Sequence, residues 1–171
     1  LPDPQPDVDE VLVHVEACGL NHLDIWARQG WPGLKIPMPH ISGCEVVGTI
    51  AELGKDVTGW HTGQRVLVSP GQSCRQCDLC KAGLESLCSD FGVMGFVRQG
   101  GYAEYTTAPA AELVAIGNEW KPEEWAATPL VFLTAWHMLV GRANLKKGET
   151  VLIHAAGSGI GHAAVQIAKL A

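Results

Sequence analysis

Short stretches in which apolar residues alternate with polar ones recur through the first two thirds of the chain. This period of two predicts β-strands, and the glycine- and proline-rich segments between them predict turns. The predicted strands are Val11–Glu16, Cys44–Leu53, Arg65–Val68, Gly101–Thr107 and Ala111–Ile116. We therefore expect residues 1–118 to form a mostly β, antiparallel, barrel-like domain.

Helical patterns cover His22–Gln29 and, after residue 118, the longer segment Pro122–Ala143. Pro122 is favourable near a helix start, whereas Pro129 predicts a kink. An apolar strand over Val151–His154, a glycine-rich turn and an amphipathic helix from about residue 161 follow. This order is that of the opening βα unit of an α/β dinucleotide-binding (Rossmann) fold, so residues 119–171 are expected to begin a second domain.

Composition narrows the classes of partner. The chain has 171 residues, 47% of them hydrophobic, which is ordinary for a globular protein with a sizeable core. The formal charge is −6 and the 12 lysines and arginines are dispersed, so we expect no nucleic-acid partner. No uninterrupted apolar run is long enough to span a bilayer, which predicts no membrane partner.

Four cysteines in the segment 70–92 carry the strongest chemical signal. Their spacing is C-x2-C-x2-C-x7-C, and they are Cys74, Cys77, Cys80 and Cys88. Four thiolates so arranged can enclose one Zn²⁺ in a tetrahedron, leaving no position for water or substrate, so the predicted zinc is structural. A pair of disulfides or ordinary buried thiols is the alternative. A zinc cage among six cysteines suits a reducing, cytoplasmic compartment.

The glycine-rich turn GSGIG predicts a cofactor site. Small residues here let backbone N–H groups approach a pyrophosphate at the positive end of the following helix. The predicted cofactor-binding residues of the turn are Gly157, Ser158, Gly159, Ile160 and Gly161. The spacing G-x-G-x-G differs from the usual G-x-G-x-x-G, and tight strand-to-helix packing without a ligand is the alternative.

These features together resemble the medium-chain dehydrogenase/reductase superfamily, which includes zinc alcohol dehydrogenases and quinone oxidoreductases. The resemblance rests on EACGLNHLDIW, PHISGCEVVGTI, the four cysteines, GGYAEY, PLVFLTAWHML and VLIHAAGSGIG in the expected order. It implies a GroES-like catalytic domain followed by a Rossmann domain that binds NAD(P)H. Family chains are about twice this length, so we expect a first strand and most of the Rossmann domain to be missing here, and the chain alone to be inactive.

At the catalytic metal site of the alcohol dehydrogenases, this sequence departs from the pattern. The resemblance places Asn21 where the first zinc cysteine stands, Cys44 in place of the zinc histidine, and Leu130 at about the third ligand. Leu23 also replaces the Ser/Thr that would relay a proton. Leucine cannot ligate zinc and asparagine is a poor ligand, so we predict no catalytic zinc.

Without a Lewis acid, the resemblance favours reductases of quinones or α,β-unsaturated carbonyl compounds, which have Asn at the position of Asn21. Two other hypotheses remain. One is a zinc alcohol dehydrogenase with an atypical second site, using Cys44, Glu45 and Asp24. The other is a non-catalytic zinc module used in binding or assembly, which would leave the βα unit unexplained.

The resemblance also implies roles for single residues. Asn21 is predicted to orient substrate or nicotinamide, Thr134 to lie near the nicotinamide as a catalytic and cofactor-binding residue, and His22 to contact a cofactor phosphate. A turn-forming asparagine and a helical threonine bonded to its own backbone are the alternatives. Cys44 is either a reactive thiol or, more commonly, a buried free cysteine.

The remaining expectations concern the tryptophans and the binding partners. Tryptophans including Trp26, Trp31 and Trp136 either line an apolar substrate cleft or pack in the core. The partner is a small-molecule substrate, and the resemblance implies a homo-oligomer for the complete protein.

Overall fold

A computed structural model describes residues 1–30, 33 and 36–170 of the chain. The chain divides into two compact units, Leu1–Ala127 and Thr128–Ala171. The first unit extends to Ala127, nine residues beyond the expected domain boundary at residue 118, and so includes one further helix.

The first unit is built on a five-stranded antiparallel sheet. Its strands are β1 (Glu10–Gly19), β2 (Glu45–Leu53), β3 (Arg65–Val68), β6 (Tyr105–Pro109) and β7 (Leu113–Ala115). Their order across the sheet is β6-β1-β2-β3-β7. Two short strands, β4 (Gly71–Gln72) and β5 (Gly92–Val93), pair separately. The predicted antiparallel β architecture is confirmed, although among the described residues no strand pairing joins β6 to β7.

Valine and isoleucine side chains form the interior of this sheet, as the alternating pattern requires. Val13 of β1 lies opposite Ile50 of β2, and Val47 lies opposite Leu67 of β3. Val13, Val47 and Ile50 are fully buried. The pairing of β1 with β2 shifts register at Leu12/Val13 and again at Val15/Ala17, and the second shift precedes the end of β1 at the site described below.

Helix α1 (His22–Gln29) matches the predicted bounds and follows β1 directly. Helix α2 (Asp78–Lys81) and a 3₁₀ turn (Glu85–Leu87) lie in the cysteine segment, between β4 and β5. Helix α3 (Pro122–Ala126) begins on a proline, and its Ala126 packs on Val47 and Leu67 of the sheet.

Two of the predicted strands are shifted or shortened. The segment predicted as Gly101–Thr107 pairs only from Tyr105, because the Gly101 N–H is bonded to the carbonyl of Gly43 in a neighbouring loop. The predicted strand Ala111–Ile116 is reduced to Leu113–Ala115, since a 3₁₀ turn occupies Ala110–Glu112.

The long predicted helix Pro122–Ala143 is divided. Helix α3 ends at Ala126, and a second helix, α4 (Pro129–Trp136), starts at Pro129. Proline has no N–H with which to continue a preceding helix. A π-helical segment, His137–Arg142, extends α4. In the second unit, α4 packs on α5 (Gly159–Leu170) around Ala135, Ala164 and Ile167.

The strand predicted over Val151–His154 is wrong. These residues have no strand conformation, and Leu152 is 82% exposed. A parallel strand is stabilised by neighbours on both edges and helices on both faces, and the described residues provide no such neighbours. The helix expected from about residue 161 forms, starting at Gly159. Among the described residues, none of the helices has the length and apolar composition that crossing a bilayer requires.

Candidate functional site

The four predicted zinc ligands meet in space. Their Sγ atoms all lie within 4.8 Å of one another. Four sulfurs bound to one zinc at 2.3 Å would be about 3.8 Å apart. The observed separations agree: Cys77 lies 3.5 Å from Cys80 and 3.8 Å from Cys88, while Cys74 lies 3.9 Å from Cys80 and 3.5 Å from Cys88. The donor set therefore fits a structural zinc, with no ligand position left open.

Backbone N–H groups donate to sulfurs of the cage, with opposite net results at two of them. The N–H of Cys77 donates to Cys74 Sγ at 3.4 Å, and that of Cys80 to Cys77 Sγ at 3.5 Å. The N–H groups of Gln76 and Cys77 lower the pKa of Cys74 to about 7. The Cys80 N–H lowers the pKa of Cys77, but the hydrogen bond with the Cys80 thiol and burial outweigh it and raise that pKa to about 11. Since zinc binds thiolates, the loop backbone favours metal binding at Cys74.

Two arginines connect this cysteine lobe to the sheet. Arg75, between two of the ligands, has a left-handed φ of 54° and pairs with the buried Glu112 at 2.8 Å. Arg98 donates both to Gln72 of β4 and to the buried Glu10 of β1. Each arginine neutralises a carboxylate that would otherwise be buried without a counter-ion.

Asn21 lies at the N-cap of α1, where β1 leads into the helix. Its Nδ2 donates to Glu45 Oε2 at 2.6 Å and lies 3.7 Å from Cys44 Sγ. Glu45 is only 2% exposed, and a carboxylate selects the NH₂ side of the amide, which fixes the orientation of the Asn21 side chain. The sequence-predicted residues Asn21 and Cys44 are thus brought together.

Asp24 joins three segments around Asn21. Its Oδ2 accepts from the Asn21 N–H at 2.8 Å and from the Tyr102 hydroxyl at 2.6 Å, and its Oδ1 accepts from the Gly43 N–H at 3.2 Å. Tyr102 was not predicted as a site residue. It belongs to the motif GGYAEY, but that motif gives no sign of a contact with a residue 78 positions away.

Cys44 is buried and its thiol is neutral. Burial, together with the negative charges of Glu45 and Asp24, raises the pKa of Cys44 to about 12. Cys18 lies nearby, and the same causes raise its pKa to about 12. A nucleophilic cysteine needs a lowered pKa and access to solvent, so the geometry favours the buried-thiol interpretation.

The second metal site proposed as the alternative is not assembled. In the part of the chain that the structure describes, the four cysteines of the lobe are the single group of three or more His, Cys, Asp or Glu side chains whose ligand atoms lie within 4.8 Å of one another. Cys44, Glu45 and Asp24 do not meet this condition. Instead, the side chain of Asn21 contacts both Cys44 and Glu45.

A cleft of about 740 Å³ opens beside Asn21 within the first unit. Apolar side chains contribute much of its lining, with polar groups from α1 and the adjacent loops between them. The lining includes Leu20, Asn21, His22, Asp24, Ile25, Arg28, Ile36, Met38, His40, Ile41 and Tyr102. An apolar cleft with a few convergent polar groups is typical of a small-molecule site.

The predicted cofactor residue His22 is exposed on the first turn of α1. Its ring stands edge-on to Trp26 at 5.0 Å. Trp26 and Trp136 are 42% and 57% exposed, so neither packs in a core, and Trp31 lies outside the described residues. A phosphate contact by His22 stays a prediction.

The glycine-rich turn packs closely at one of its glycines and is open at another. A Cβ on Gly161 would lie 2.3 Å from the Ala155 carbonyl oxygen, so this position requires glycine for close packing, whereas Gly157 faces open space. The Ser158 hydroxyl accepts from the Gly161 N–H at 3.1 Å and caps α5. Thr134 is half-buried in α4. Cofactor binding by the turn and by Thr134 stays a prediction.

The profile of the alcohol dehydrogenase GroES-like domain matches residues 7–118. The chain belongs to this family. The resemblance to the medium-chain dehydrogenase/reductase superfamily is thereby confirmed, and the cluster of four cysteines fits the structural zinc expected in this domain. The matched segment contains the cysteine lobe, Asn21, Cys44 and the cleft.

Relatives of the GroES-like chain are oxidoreductases. It is 40% identical to an alcohol dehydrogenase of Geobacillus stearothermophilus over 168 residues, which are 97% of this chain and 49% of that protein. The crystal structure of an NAD-dependent alcohol dehydrogenase superposes with a TM-score of 0.95 at 44% identity, covering 99% of this chain and 50% of the other. The CurK enoyl reductase superposes with a TM-score of 0.77 at 27% identity, covering 100% and 46%.

The chain thus spans about half the length of the relatives it matches. These relatives support an oxidoreductase of the medium-chain type. Their names include both alcohol dehydrogenase and enoyl reductase, and so do not distinguish alcohol oxidation from reduction of an activated double bond.

Proposed function

We propose that the protein carrying this chain is an NAD(P)H-dependent reductase of quinones or α,β-unsaturated carbonyl compounds that works without a catalytic zinc. The observation that carries the proposal is the contact of the Asn21 amide with Glu45 and Cys44. The family resemblance implies that this uncharged amide and protonated thiol stand where alcohol dehydrogenases have zinc ligands, with a leucine at about the third.

A site without a cation favours substrates that can delocalise the negative charge formed in the reaction. Oxidising an unactivated alcohol develops an alkoxide, which needs a cation or strong donors for stabilisation. An enone or quinone delocalises the incoming electron pair over its own oxygen, so that hydrogen-bond donors suffice. Bound NAD(P)H supplies the hydride.

Asn21 is the donor that this chain offers to the substrate oxygen. One N–H of its amide is held by Glu45 at 2.6 Å. The other lies toward Cys44 Sγ at 3.7 Å, a long and weak contact that a carbonyl oxygen entering the cleft can replace. Glu45 thereby orients the amide, and the apolar walls of the cleft hold the hydrocarbon part of the substrate.

Reduction of an enone requires one proton in addition to the hydride. With the cofactor bound, its hydride would add to the β-carbon and the C=C π pair would move onto the carbonyl oxygen as an enolate. Asn21 would donate to that oxygen, and a proton from water would complete the α-carbon. The Cys44 thiol, with its raised pKa, stays neutral and adds no negative charge beside the enolate.

A second candidate is alcohol oxidation with a metal, because two of the relatives named above are alcohol dehydrogenases. The complete protein distinguishes the two. We expect oxidation of NAD(P)H by 2-cyclohexenone or benzoquinone, little reduction of NAD(P)⁺ by ethanol or cyclohexanol, and a lowered but still measurable rate of the enone reaction in Asn21→Ala. Alcohol oxidation that a chelator abolishes, without any enone reaction, would show that the second candidate is correct. Absence of nicotinamide binding would favour a non-catalytic zinc module.

A further inference from the structure

Tyr102 lies on the cleft wall, and the hydrogen bonds of its hydroxyl are fully specified. The oxygen is 2.6 Å from Asp24 Oδ2 and 3.2 Å from the Gly19 carbonyl oxygen. Both partners are acceptors, and the hydroxyl has one proton, which goes to the nearer, charged oxygen. Burial and the adjacent Asp24 raise the pKa of Tyr102, so the hydroxyl stays protonated.

The ring of Tyr102 is fixed as firmly as its hydroxyl. A Cβ on Gly43 would lie 2.7 Å from the Tyr102 ring and 2.8 Å from Cys18 Sγ, and Gly43 has a φ of 99°, so the ring packs directly on a glycine backbone. The Tyr102 N–H donates to the Ser42 carbonyl oxygen at 3.0 Å, and the Gly101 N–H to Gly43 at 2.9 Å. The loop before β6 is thereby bound to the loop before β2.

Asp24 transmits this constraint to Asn21. The same Asp24 oxygen accepts from the Tyr102 hydroxyl and from the Asn21 N–H, and its other oxygen holds the Gly43 N–H. Gly43 directly precedes Cys44, and Asn21 is held on its other side by Glu45. Two carboxylates thus hold Asn21: Asp24 accepts from its backbone N–H and Glu45 from its side-chain amide, and Asp24 also accepts from the Tyr102 hydroxyl.

We propose that Tyr102 is a positioning residue, whose hydroxyl acts through Asp24 to hold Asn21 and the Gly43–Cys44 loop in register for catalysis. It is not a proton donor to the substrate, because its single proton is committed to Asp24. The catalytic part of this inference rests on the proposed function. The hydrogen bonds by which Tyr102 and Asp24 hold Asn21 and Gly43, here called the tether, do not depend on it.

The chain contains two tyrosines, which provide a matched pair of variants. Tyr102→Phe removes the hydroxyl and keeps the ring. Tyr105→Phe is the control, because Tyr105 stands in β6 with its ring against His14, away from Asp24. Hydrogen exchange on the 171-residue chain tests the tether directly. We expect Tyr102→Phe to accelerate exchange at the Asn21 and Gly43 amides roughly tenfold, and Tyr105→Phe to leave both unchanged.

Kinetics on the complete protein test the role. Tyr102→Phe should lower kcat for 2-cyclohexenone roughly tenfold with an unchanged KM for NAD(P)H, and should cause no further loss in an Asn21→Ala background. A merely structural role would instead give losses that add. Unchanged exchange at Asn21 and Gly43, or additive losses, would overturn the proposal. If Tyr102→Phe accelerates exchange but the complete protein reduces no enone, the hydrogen bonds through Asp24 are supported and only the proposed function is refuted.

Discussion

The side-chain amide of Asn21 donates to the carboxylate of Glu45 across 2.6 Å, connecting the N-cap of α1 to the first residue of β2. The acceptor is 2% exposed, so it depends on protein partners in place of water. A single amide here both stabilises the fold and presents a polar group to the cleft.

Removal of this amide should destabilise the chain. Asn21→Ala leaves the buried Glu45 carboxylate without this donor, and we expect the free energy of unfolding to fall by about 1.5–3 kcal/mol. Urea denaturation at neutral pH measures the loss.

The control for this variant is Asn118→Ala. Asn118 is exposed, and its Oδ1 accepts from Arg65 at 3.3 Å on the surface. We expect a change within about 0.5 kcal/mol for this substitution. Equal effects of the two substitutions would mean that the Asn21–Glu45 bond contributes nothing specific.

The thiol of Cys44 should be inert in the folded chain. Its pKa is raised to about 12, whereas a free cysteine titrates near 8.5, so little thiolate exists at neutral pH. Iodoacetamide at pH 8 should modify Cys44 at least roughly a hundredfold more slowly in the folded chain than in urea, as measured by peptide mass spectrometry. Rapid labelling of the folded chain would contradict the buried neutral thiol.

The raised pKa of Cys44 should also make the stability of the folded chain depend on pH in the alkaline range. Because the folded pKa is the higher one, the contribution of the Cys44 thiol to stability is complete below about pH 8.5. It is lost as the pH rises toward 12, where the folded thiol also ionises. The free energy of unfolding should therefore fall more steeply above about pH 9 in the parent chain than in Cys44→Ala. Parallel pH profiles would rule out this contribution.

The ion pair of Arg75 with Glu112 should stabilise the cysteine lobe against the sheet. Arg75→Ala leaves a buried carboxylate beside β7, and we expect a loss of about 1–3 kcal/mol in urea. Arg142→Ala is the matched control, since Arg142 is exposed and forms no ion pair among the described residues. The zinc content should be unchanged in both variants. A loss of zinc in Arg75→Ala would show that the pair maintains the metal site itself.

Local patterns predicted the elements whose stability is local. Helix His22–Gln29 and strand Arg65–Val68 were found with the predicted bounds, and the cysteine cage follows from ligand spacing within fifteen residues. The strand over Val151–His154 failed because a parallel strand needs partners that are distant in sequence, and apolar composition alone does not supply them.

The arrangement around Asn21 was only partly predictable. The identities of Asn21 and Cys44 indicated a site without a catalytic metal, but the contact between them joins residues 23 positions apart. The Tyr102–Asp24 bond spans 78 positions, and no periodicity or motif reports such a pairing. Contacts of this kind depend on the register of β1 with β2 and on the loop that precedes β6.

The metal content of the purified protein is the most direct test of a site without a catalytic zinc. We predict one zinc per chain, lost in Cys74→Ser and retained in Asn21→Ala, as measured by inductively coupled plasma mass spectrometry and located by anomalous scattering. Two zinc ions per chain, with the second bound between Asn21, Cys44 and Glu45, would contradict it.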